Sequence, residues 1–359
     1  MYIIGFRVIS LLAIFTLLSS SVSAVVASES DAAELVDNAE VTCIERPQFE
    51  PLIGPKPNRN RPFAFNPAMQ RIDGIFGIDI SRWDHPGDKL LDFPKINRAG
   101  FEYALIKLSD GATVKSHRLA GYWWRIDRPL AEKAGFLVGG YHFAYPRGTT
   151  ALERRADALK QAQMAAMRYG KWQIGRLPLV LDLEVLPAPK WSPREITDWA
   201  LTFLEEAERL TNQPPMIYSY ANYFLKHMEP DLRMVKYPLW VAHYGVHLGA
   251  PAQIAPWSLF DGYAVWQFSS SARTPGTHRN IGDLNVTSAH WLNKLSGKDN
   301  NFAWAQPLAE VQVDAFNSIA RGGNGQKFHN RTGSSREGLT TWKSWVTATS
   351  KCPLKPIAP

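Results

Sequence analysis

The sequence contains few cysteines. Its 359 residues include only two, Cys43 and Cys352. This number excludes a multi-cysteine zinc site and a small fold held together by several disulfides. The nine histidines include no HExxH sequence and no pair at helical metal-ligand spacing with a third donor nearby. We therefore expect neither a metal site nor another cofactor.

Sequence signals of a membrane span, an internal repeat, a serine hydrolase and a nucleic-acid-binding protein are also missing. Beyond the N-terminus no apolar run is long enough to span a bilayer, and no internal repeat is visible. The GxSxG sequence of serine hydrolases does not occur. No stripe of Lys and Arg accompanies a known RNA-binding or DNA-binding motif, so nucleic acid is not an expected partner. The composition, with 45% hydrophobic and 20% charged residues, is that of a globular protein.

The first 27 residues have the pattern of a secretory signal peptide. A single charge, Arg7, precedes an apolar stretch from Val8 to Leu18, and small residues suited to cleavage follow. Because this stretch is short for a bilayer span, an uncleaved anchor is the less favoured alternative, and it would be the protein's connection to a membrane. We expect a mature protein that is secreted or periplasmic.

The N-terminal arm, residues 28–73, changes character along its length. Residues 28–45 carry six acids and no base, and residues 46–73 are rich in proline, which disfavours helix and central strand. The formal charge of the whole chain is +7. Without Arg7 and the six acids, the chain from Arg46 onward carries about +12. Such a basic surface suits an acidic polymer such as a cell wall, and solubility alone is the alternative.

Eight short apolar runs from residue 75 onward predict β-strands. Alternation with helical patterns predicts parallel strands, but after the sixth run the connections lack helical periodicity. We therefore predict an α/β fold over residues 74–295, a modified TIM-like barrel with five β/α units and three further strands. The predicted strands are Ile75–Ile80, Tyr103–Leu108, Leu137–Phe143, Leu179–Leu183, Met216–Tyr220, Leu239–Tyr244, Tyr263–Phe268 and Ile281–Val286.

Two helices of the barrel have clear N-terminal signals. Thr150 and Glu153 form a capping box for a helix that Gly170 ends. Ser192 and Glu195 begin a second helix, which carries an apolar stripe suited to packing on a sheet.

Residues 296–359 form a C-terminal extension. We expect it to pack on the barrel, with a small accessory binding surface as the alternative. Cys43 and Cys352 are expected to form a disulfide, because export permits one and the first and last strands of a closed barrel are neighbours. Two unpaired thiols are the alternative.

Four acids lie at the ends of predicted strands. Asp182 and Glu184 end an apolar run, and their spacing of two residues places them on one face. Asp79 ends the first strand and Asp283 lies near the last. Because the functional face of a parallel barrel lies at the carboxyl ends of its strands, four carboxylates on one rim are plausible. This pattern favours acid/base chemistry on a glycosidic bond, although an acid pair taken alone is often only a solvated strand end.

A series of sequence blocks contains these acids: Gly77-Ile78-Asp79-Ile80-Ser81-x-Trp83, Ala104-Leu105-Ile106-Lys107, Val138-Gly139-Gly140-Tyr141-His142-Phe143, Asp182-Leu183-Glu184, Pro215-Met216-Ile217-Tyr218, Leu239-Trp240-Val241-Ala242-x-Tyr244, Trp266-Gln267-Phe268 and Asp283-x-Asn285. Together they resemble family-25 glycoside hydrolases, the Chalaropsis-type N-acetylmuramidases. The blocks occur in the order seen in that family, over about residues 75–295. One departure is Ser109-Asp110-Gly111, where members commonly carry Glu before the glycine.

The resemblance implies a fold and a reaction. It implies the same modified barrel and hydrolysis of the β-1,4 bond between N-acetylmuramic acid and N-acetylglucosamine. It assigns the general acid to Glu184, with Asp182, Asp79 and Asp283 as the other acidic site residues. Clustered charge is expected to raise at least one carboxyl pKa, with Glu184 protonated and Asp182 ionised.

The candidate substrate-binding residues are polar or aromatic and lie in strand contexts. The tyrosines could contact a sugar ring or serve as ordinary barrel packing. Lys107 and Gln267 could orient carboxylates, bind substrate or be satisfied buried polar groups. The full set is Lys107, Tyr141, Tyr218, Trp240, Tyr244 and Gln267.

The sequence thus predicts a secreted lysozyme, expected to be a monomer, whose partner is the glycan strand of peptidoglycan. One alternative is a non-hydrolytic cell-wall glycan-binding protein on the same barrel, disfavoured because all four acids are present. The other is a chitinase-like hydrolase, disfavoured because Leu179 and Val180 stand where the DxxDxDxE pattern needs further acids.

Overall fold

A computed structural model describes residues 63–64, 67, 74–112, 114–244, 254, 256–257, 262–278 and 282–298. The predicted signal peptide, most of the N-terminal arm and nearly all of the C-terminal extension lie outside these residues. Cys43 and Cys352 lie outside them as well, so their disulfide stays a prediction.

The described part of the chain forms one sheet of nine strands that closes into a barrel. The sheet order is β1-β8-β7-β6-β5-β4-β3-β2-β9, and a further pairing of β8 with β9 closes the barrel from β2 to β9. The strands are β1 (Phe63–Ala64), β2 (Ile75–Ile80), β3 (Phe101–Asp110), β4 (Leu137–Phe143), β5 (Leu179–Asp182), β6 (Met216–Tyr220), β7 (Leu239–Ala242), β8 (Val265–Arg273) and β9 (Gly282–Thr287).

The predicted modified barrel is confirmed. A helix follows each of the first five barrel strands, and the described residues between β7, β8 and β9 form no α-helix. The helices are α1 (Phe93–Arg98), α2 (Val114–Lys133), α3 (Ala151–Tyr169), α4 (Pro193–Thr211), α5 (Ala221–His227) and α6 (Ala289–Ser296), of which α6 follows the last strand. β1, which belongs to the N-terminal arm, pairs with the far end of β8 at Ala272 and Arg273.

The direction of the last strand differs from the prediction of parallel strands. β2 to β8 are parallel to their neighbours, but β9 is antiparallel to both β2 and β8. A parallel strand needs a crossover that returns the chain to the starting edge, usually a helix. Because β9 follows β8 after a short connection, the chain turns back and runs in the opposite direction.

Both predicted capping boxes are present. Thr150 Oγ1 accepts from the Glu153 backbone N–H while the Glu153 carboxylate accepts from that of Thr150, and Gly170 ends α3. Ser192 and Glu195 make the same reciprocal pair at α4. The apolar stripe of α4 is buried against the outer face of the barrel. Each large buried side chain of this stripe stabilises the packing by about 1.5–3 kcal/mol.

The core has two layers. The larger lies between the outward-facing strand residues and the helices, and there His142 on β4 is fully buried between Ser109 Oγ (2.8 Å) and Gln161 Oε1 (3.0 Å). The smaller fills the barrel interior, where Trp291 and Leu295 of α6 pack with inward-facing strand residues. None of the described helices is long and apolar enough to cross a membrane.

Candidate active site

The inward-facing residues become polar towards the carboxyl ends of the parallel strands. Residues two apart share a face of a strand, so on β5 the inward series runs from Val180 to Asp182 and on to Glu184, just past the strand. The other strands bring to this end Asp79, Lys107, Tyr141, Tyr218, Trp240, Tyr244, Gln267, Asp283 and Asn285.

The carboxylate of Asp79 on β2 accepts hydrogen bonds from two side-chain amides. Its Oδ2 lies 2.8 Å from Nε2 of Gln267 and 2.8 Å from Nδ2 of Asn285. Burial raises the pKa of Asp79 to about 7, although both hydrogen bonds favour the charged form, and the charges of Asp84 and Glu184 add to the rise. Asp79 therefore changes its charge in the neutral pH range.

The opposite ends of the two amides are held by aromatic side chains. Gln267 Oε1 accepts from the hydroxyl of Tyr218 at 2.8 Å and from that of Tyr244. Asn285 Oδ1 accepts from the indole Nε1 of Trp240 at 2.8 Å. Because an indole N–H can only donate, the oxygen of Asn285 must face Trp240 and its NH₂ group must face Asp79.

Asp182 and Glu184 form the second acidic pair. Asp182 is 3% exposed, while Glu184 is half-buried at the mouth of the barrel. Burial and then the neighbouring Glu184 raise the pKa of Asp182 well above its usual range. Burial also raises the pKa of Glu184, against the hydrogen bond with Asp182 and the charge of Lys107. Oδ1 of Asp182 is buried without a hydrogen-bond partner among the described residues.

The expected protonation states of this pair, with Glu184 protonated and Asp182 ionised, stay a prediction. The two carboxyl groups share a hydrogen bond, so the pair holds a proton, and Asp182 is the more deeply buried of the two. Because burial penalises the charged form, it raises the pKa of both groups, and it raises that of Asp182 more strongly.

Asp283 reaches the same rim by a different route from the other three acids. It is the second residue of β9, and it lies directly opposite Asp79 because β9 is antiparallel to β2. Had β9 been parallel, a residue at its start would lie at the other end of the barrel. The charge of Asp283 raises the pKa of Tyr141 and Tyr244, after the larger effect of burial.

Lys107 lies on β3 beside the acidic pair. Its Nζ is 2.7 Å from Oδ2 of Asp110 and 4.2 Å from the centre of the Phe143 ring. The ammonium favours the charged forms of both Asp182 and Glu184.

The predicted aromatic residues differ in exposure. Trp240 is 1% exposed and packs against Tyr218 and Tyr141, with ring centres 4.2 and 6.2 Å away, so here its ring faces other side chains. Tyr141 and Tyr218 are also buried, whereas Tyr244 is partly exposed. Direct contacts of these residues with a substrate stay predictions.

Sequence reasoning did not select Asn285, Asp110 or Tyr103 as site residues. Asn285 could have been found, because it lies two residues from Asp283 on one strand and so shares its face. Tyr103 on β3 explains the glycine at 77, since a Cβ there would lie 2.3 Å from its ring. No group of three or more metal-ligating His, Cys, Asp or Glu residues occurs in the described part of the chain.

The sequence model of the family described as "Glycosyl hydrolases family 25" matches residues 78–277, which is more than half of the chain. The chain belongs to glycosyl hydrolase family 25. The matched residues include Asp79, Asp182 and Glu184, and β9 with Asp283 follows directly. The prediction of a glycoside hydrolase is thereby confirmed.

Individual members of family 25 resemble this chain as well. It is 28% identical over 215 residues to lysozyme M1 of Streptomyces globisporus, a match that covers 58% of this chain and 66%, just under two thirds, of that protein. The lysozyme of Streptomyces coelicolor superimposes with a TM-score of 0.52 at 27% identity, covering 62% of this chain and 98% of that one. A muramidase of Acremonium alcalophilum gives a TM-score of 0.50 at 26% identity, covering 63% and 100%.

Proposed function

We propose that this family-25 chain is a secreted lysozyme. It hydrolyses the β-1,4 bond between N-acetylmuramic acid and N-acetylglucosamine in peptidoglycan, with Glu184 as the general acid. The observation that carries the proposal is the hydrogen-bonded Asp182–Glu184 pair, which shares a proton at the mouth of a family-25 barrel that resembles lysozymes and a muramidase.

The position of Glu184 supports its role as the acid. It is the half-buried member of the pair and can reach a glycosidic oxygen in the cleft, whereas Asp182 lies deeper. Burial raises the pKa of Glu184, which favours the protonated form that a general acid needs. Protonating the leaving oxygen lets the glycosidic bond break without expulsion of an alkoxide.

The free oxygen of Asp182 supports a role for the substrate in moving the proton. Oδ1 of Asp182 can accept the N–H of a 2-acetamido group, a bond that favours ionised Asp182. The proton of the pair then passes through the Asp182–Glu184 hydrogen bond to Glu184. Binding of an N-acetylated sugar thus ionises Asp182, which orients the acetamido group, and protonates Glu184, the general acid.

The remaining acids would stabilise positive charge. As the bond breaks, the sugar acquires oxocarbenium character, and the negative charges of Asp283 and of ionised Asp79 can stabilise it from the opposite wall. The hydrogen bond between Asp182 and Glu184 leaves no space for an attacking water between them, unlike the separation of about 6.5–9.5 Å in inverting pairs. This closeness supports attack by the acetamido group itself.

Product analysis tests the proposed reaction. The full chain is incubated with purified peptidoglycan, and the soluble fragments are reduced with borohydride and analysed by mass spectrometry. A muramidase leaves N-acetylmuraminitol at the new ends. Glucosaminitol ends, or faster release from chitin, would overturn the proposed bond specificity, and adsorption without new ends would establish the glycan-binding alternative.

Secretion rests on residues 1–27 alone. A full-length chain expressed with its own N-terminus should appear outside the cytoplasm and lack the apolar stretch from Val8 to Leu18. Cell fractionation followed by N-terminal sequencing tests this, and a full-length product retained in the cytoplasm would contradict it.

A further inference from the structure

Asp110 and Lys107 form an ion pair beside the two carboxyl groups of β5. Their charged atoms are 2.7 Å apart, and the side chains are 18% and 16% exposed, so both are largely withdrawn from solvent. The same ammonium lies on the ring of Phe143, which pairs with Asp182 in the sheet. The ion pair is therefore part of the wall that surrounds the acidic pair.

An irregularity in β3 creates this contact. Residues three apart on a regular strand project from opposite faces, so Lys107 and Asp110 would be separated. The register between β3 and β4 shifts between Lys107 and Ser109, and Ser109 turns outward to hydrogen-bond with His142 at 2.8 Å. Asp110 then returns to the inner side. A bulge of this kind commonly re-aims a side chain near an active site.

Charged groups from several strands face the acidic pair. Asp79 approaches from β2, and Lys107 and Asp110 from β3. After the larger effect of burial, the charge of Glu184 also raises the pKa of the hydroxyl groups of Tyr218, Tyr220 and Tyr244. Lys107 supplies positive charge that favours ionisation of both carboxyl groups, and its partner Asp110 has the opposite, smaller effect at Asp182.

We propose that Asp110 is a positioning residue that holds the ammonium of Lys107 in place and offsets its charge, so that the Asp182–Glu184 pair keeps its proton at the working pH. The proposal rests on the proposed function, since it concerns the acid of that reaction. An uncompensated ammonium at this position would favour loss of the proton, and removal of both charges would shift the balance less than removal of the ammonium alone.

A double-mutant cycle on the pH profile of kcat tests the proposal. In Asp110→Asn the ammonium loses its counter-charge, so the alkaline limb should move to lower pH by about half to one unit. In Lys107→Met the limb should move to higher pH by a similar amount. The limb of the double variant should lie closer to that of the wild type than the limb of Lys107→Met does, and Asp110→Glu, which keeps the charge, should stay near the wild type.

Controls separate this effect from simple loss of structure. Glu132→Gln removes one partner of the exposed Arg128–Glu132 pair on α2 and should leave the limb in place. Infrared titration of the neutral carboxyl band gives a readout that needs no turnover, and it should shift in the same directions. Thermal unfolding identifies any variant that does not fold. The direction in which the alkaline limb moves in the remaining folded variants then still tests the proposal.

The outcomes are distinct. Single variants that lower kcat at every pH without moving the limb or the infrared titration, and a double variant that is not restored, would show that the ion pair only stabilises the loop and would overturn the proposal. Absence of wild-type turnover on peptidoglycan would instead contradict the proposed function, while the infrared titration would still test the role of Asp110.

Discussion

Asp79 and Asp283 lie directly opposite each other on two barrel strands that run in opposite directions. The pairing joins residues 204 positions apart in sequence, and it places the start of β9 at the same rim as the end of β2. Asp283 therefore reaches the site because of the antiparallel closure of the barrel, whereas Asp79 lies there because it is near the carboxyl end of β2. β9 also carries Asn285, which donates a hydrogen bond to Asp79 and holds it in position.

Asp182→Asn should remove most of the activity while it preserves the fold. The amide cannot become negatively charged and cannot return a proton to Glu184, so we expect kcat to fall by about 10²-fold or more. Steady-state kinetics on a soluble peptidoglycan oligosaccharide measures this. Turnover within threefold of the wild type would show that Asp182 takes no part in the reaction.

The same substitution should stabilise the protein at neutral pH. Burial raises the pKa of Asp182 in the folded state, so its ionisation weakens the fold as pH rises above the unfolded value near 4. Asp79 adds the same trend between about pH 4 and its folded pKa of about 7. Urea unfolding from pH 4 to pH 8 should show wild-type stability falling with pH more steeply than that of Asp182→Asn. Parallel curves would contradict the assignment.

Asn285→Ala should destabilise the barrel. The substitution leaves the buried indole N–H of Trp240 and one lone pair of Asp79 without their partner. Each unsatisfied buried group costs about 1–3 kcal/mol. We expect the free energy of unfolding to fall by about 2 kcal/mol. Asn293→Ala, at an exposed position on α6, is the matched control. Equal effects at the two positions would show that the hydrogen bonds of Asn285 contribute nothing specific.

Much of the fold followed from the local pattern of the sequence. Capping residues such as Thr150 and Ser192 satisfy backbone groups within three residues, so they are readable directly. The prediction of parallel strands is wrong for β9, because an apolar run of six residues carries no information about the direction of its neighbours. Asp79, Asp182 and Glu184 can be predicted as site residues, because an acid at the end of an apolar run is visible in the local sequence alone. The bonds of Asn285 and the ion pair of Asp110 depend on barrel closure and on a bulge, which only the folded chain defines.

The basic charge of the chain should affect capture of the cell wall more than the chemistry. From Arg46 onward the formal charge is about +12, and salt screens exposed charges over about 8–10 Å at physiological ionic strength. Raising the salt concentration should therefore weaken adsorption to peptidoglycan, while kcat on a short soluble oligosaccharide stays nearly constant. Pelleting assays and kinetics over one salt series measure both. Equal sensitivity of the two would place the salt effect in the active site.

The most direct measurement for the central claim compares kcat of the wild type, Glu184→Gln and Glu102→Gln on purified peptidoglycan at the wild-type pH optimum. Glu102 is exposed on β3 outside the site, so its substitution makes the same chemical change elsewhere. Loss of a general acid costs about 10²–10⁴-fold, so Glu184→Gln should lose activity by such a factor while adsorption stays unchanged and thermal unfolding shows a folded protein. Near-normal turnover by folded Glu184→Gln would contradict the assignment of Glu184 as the acid.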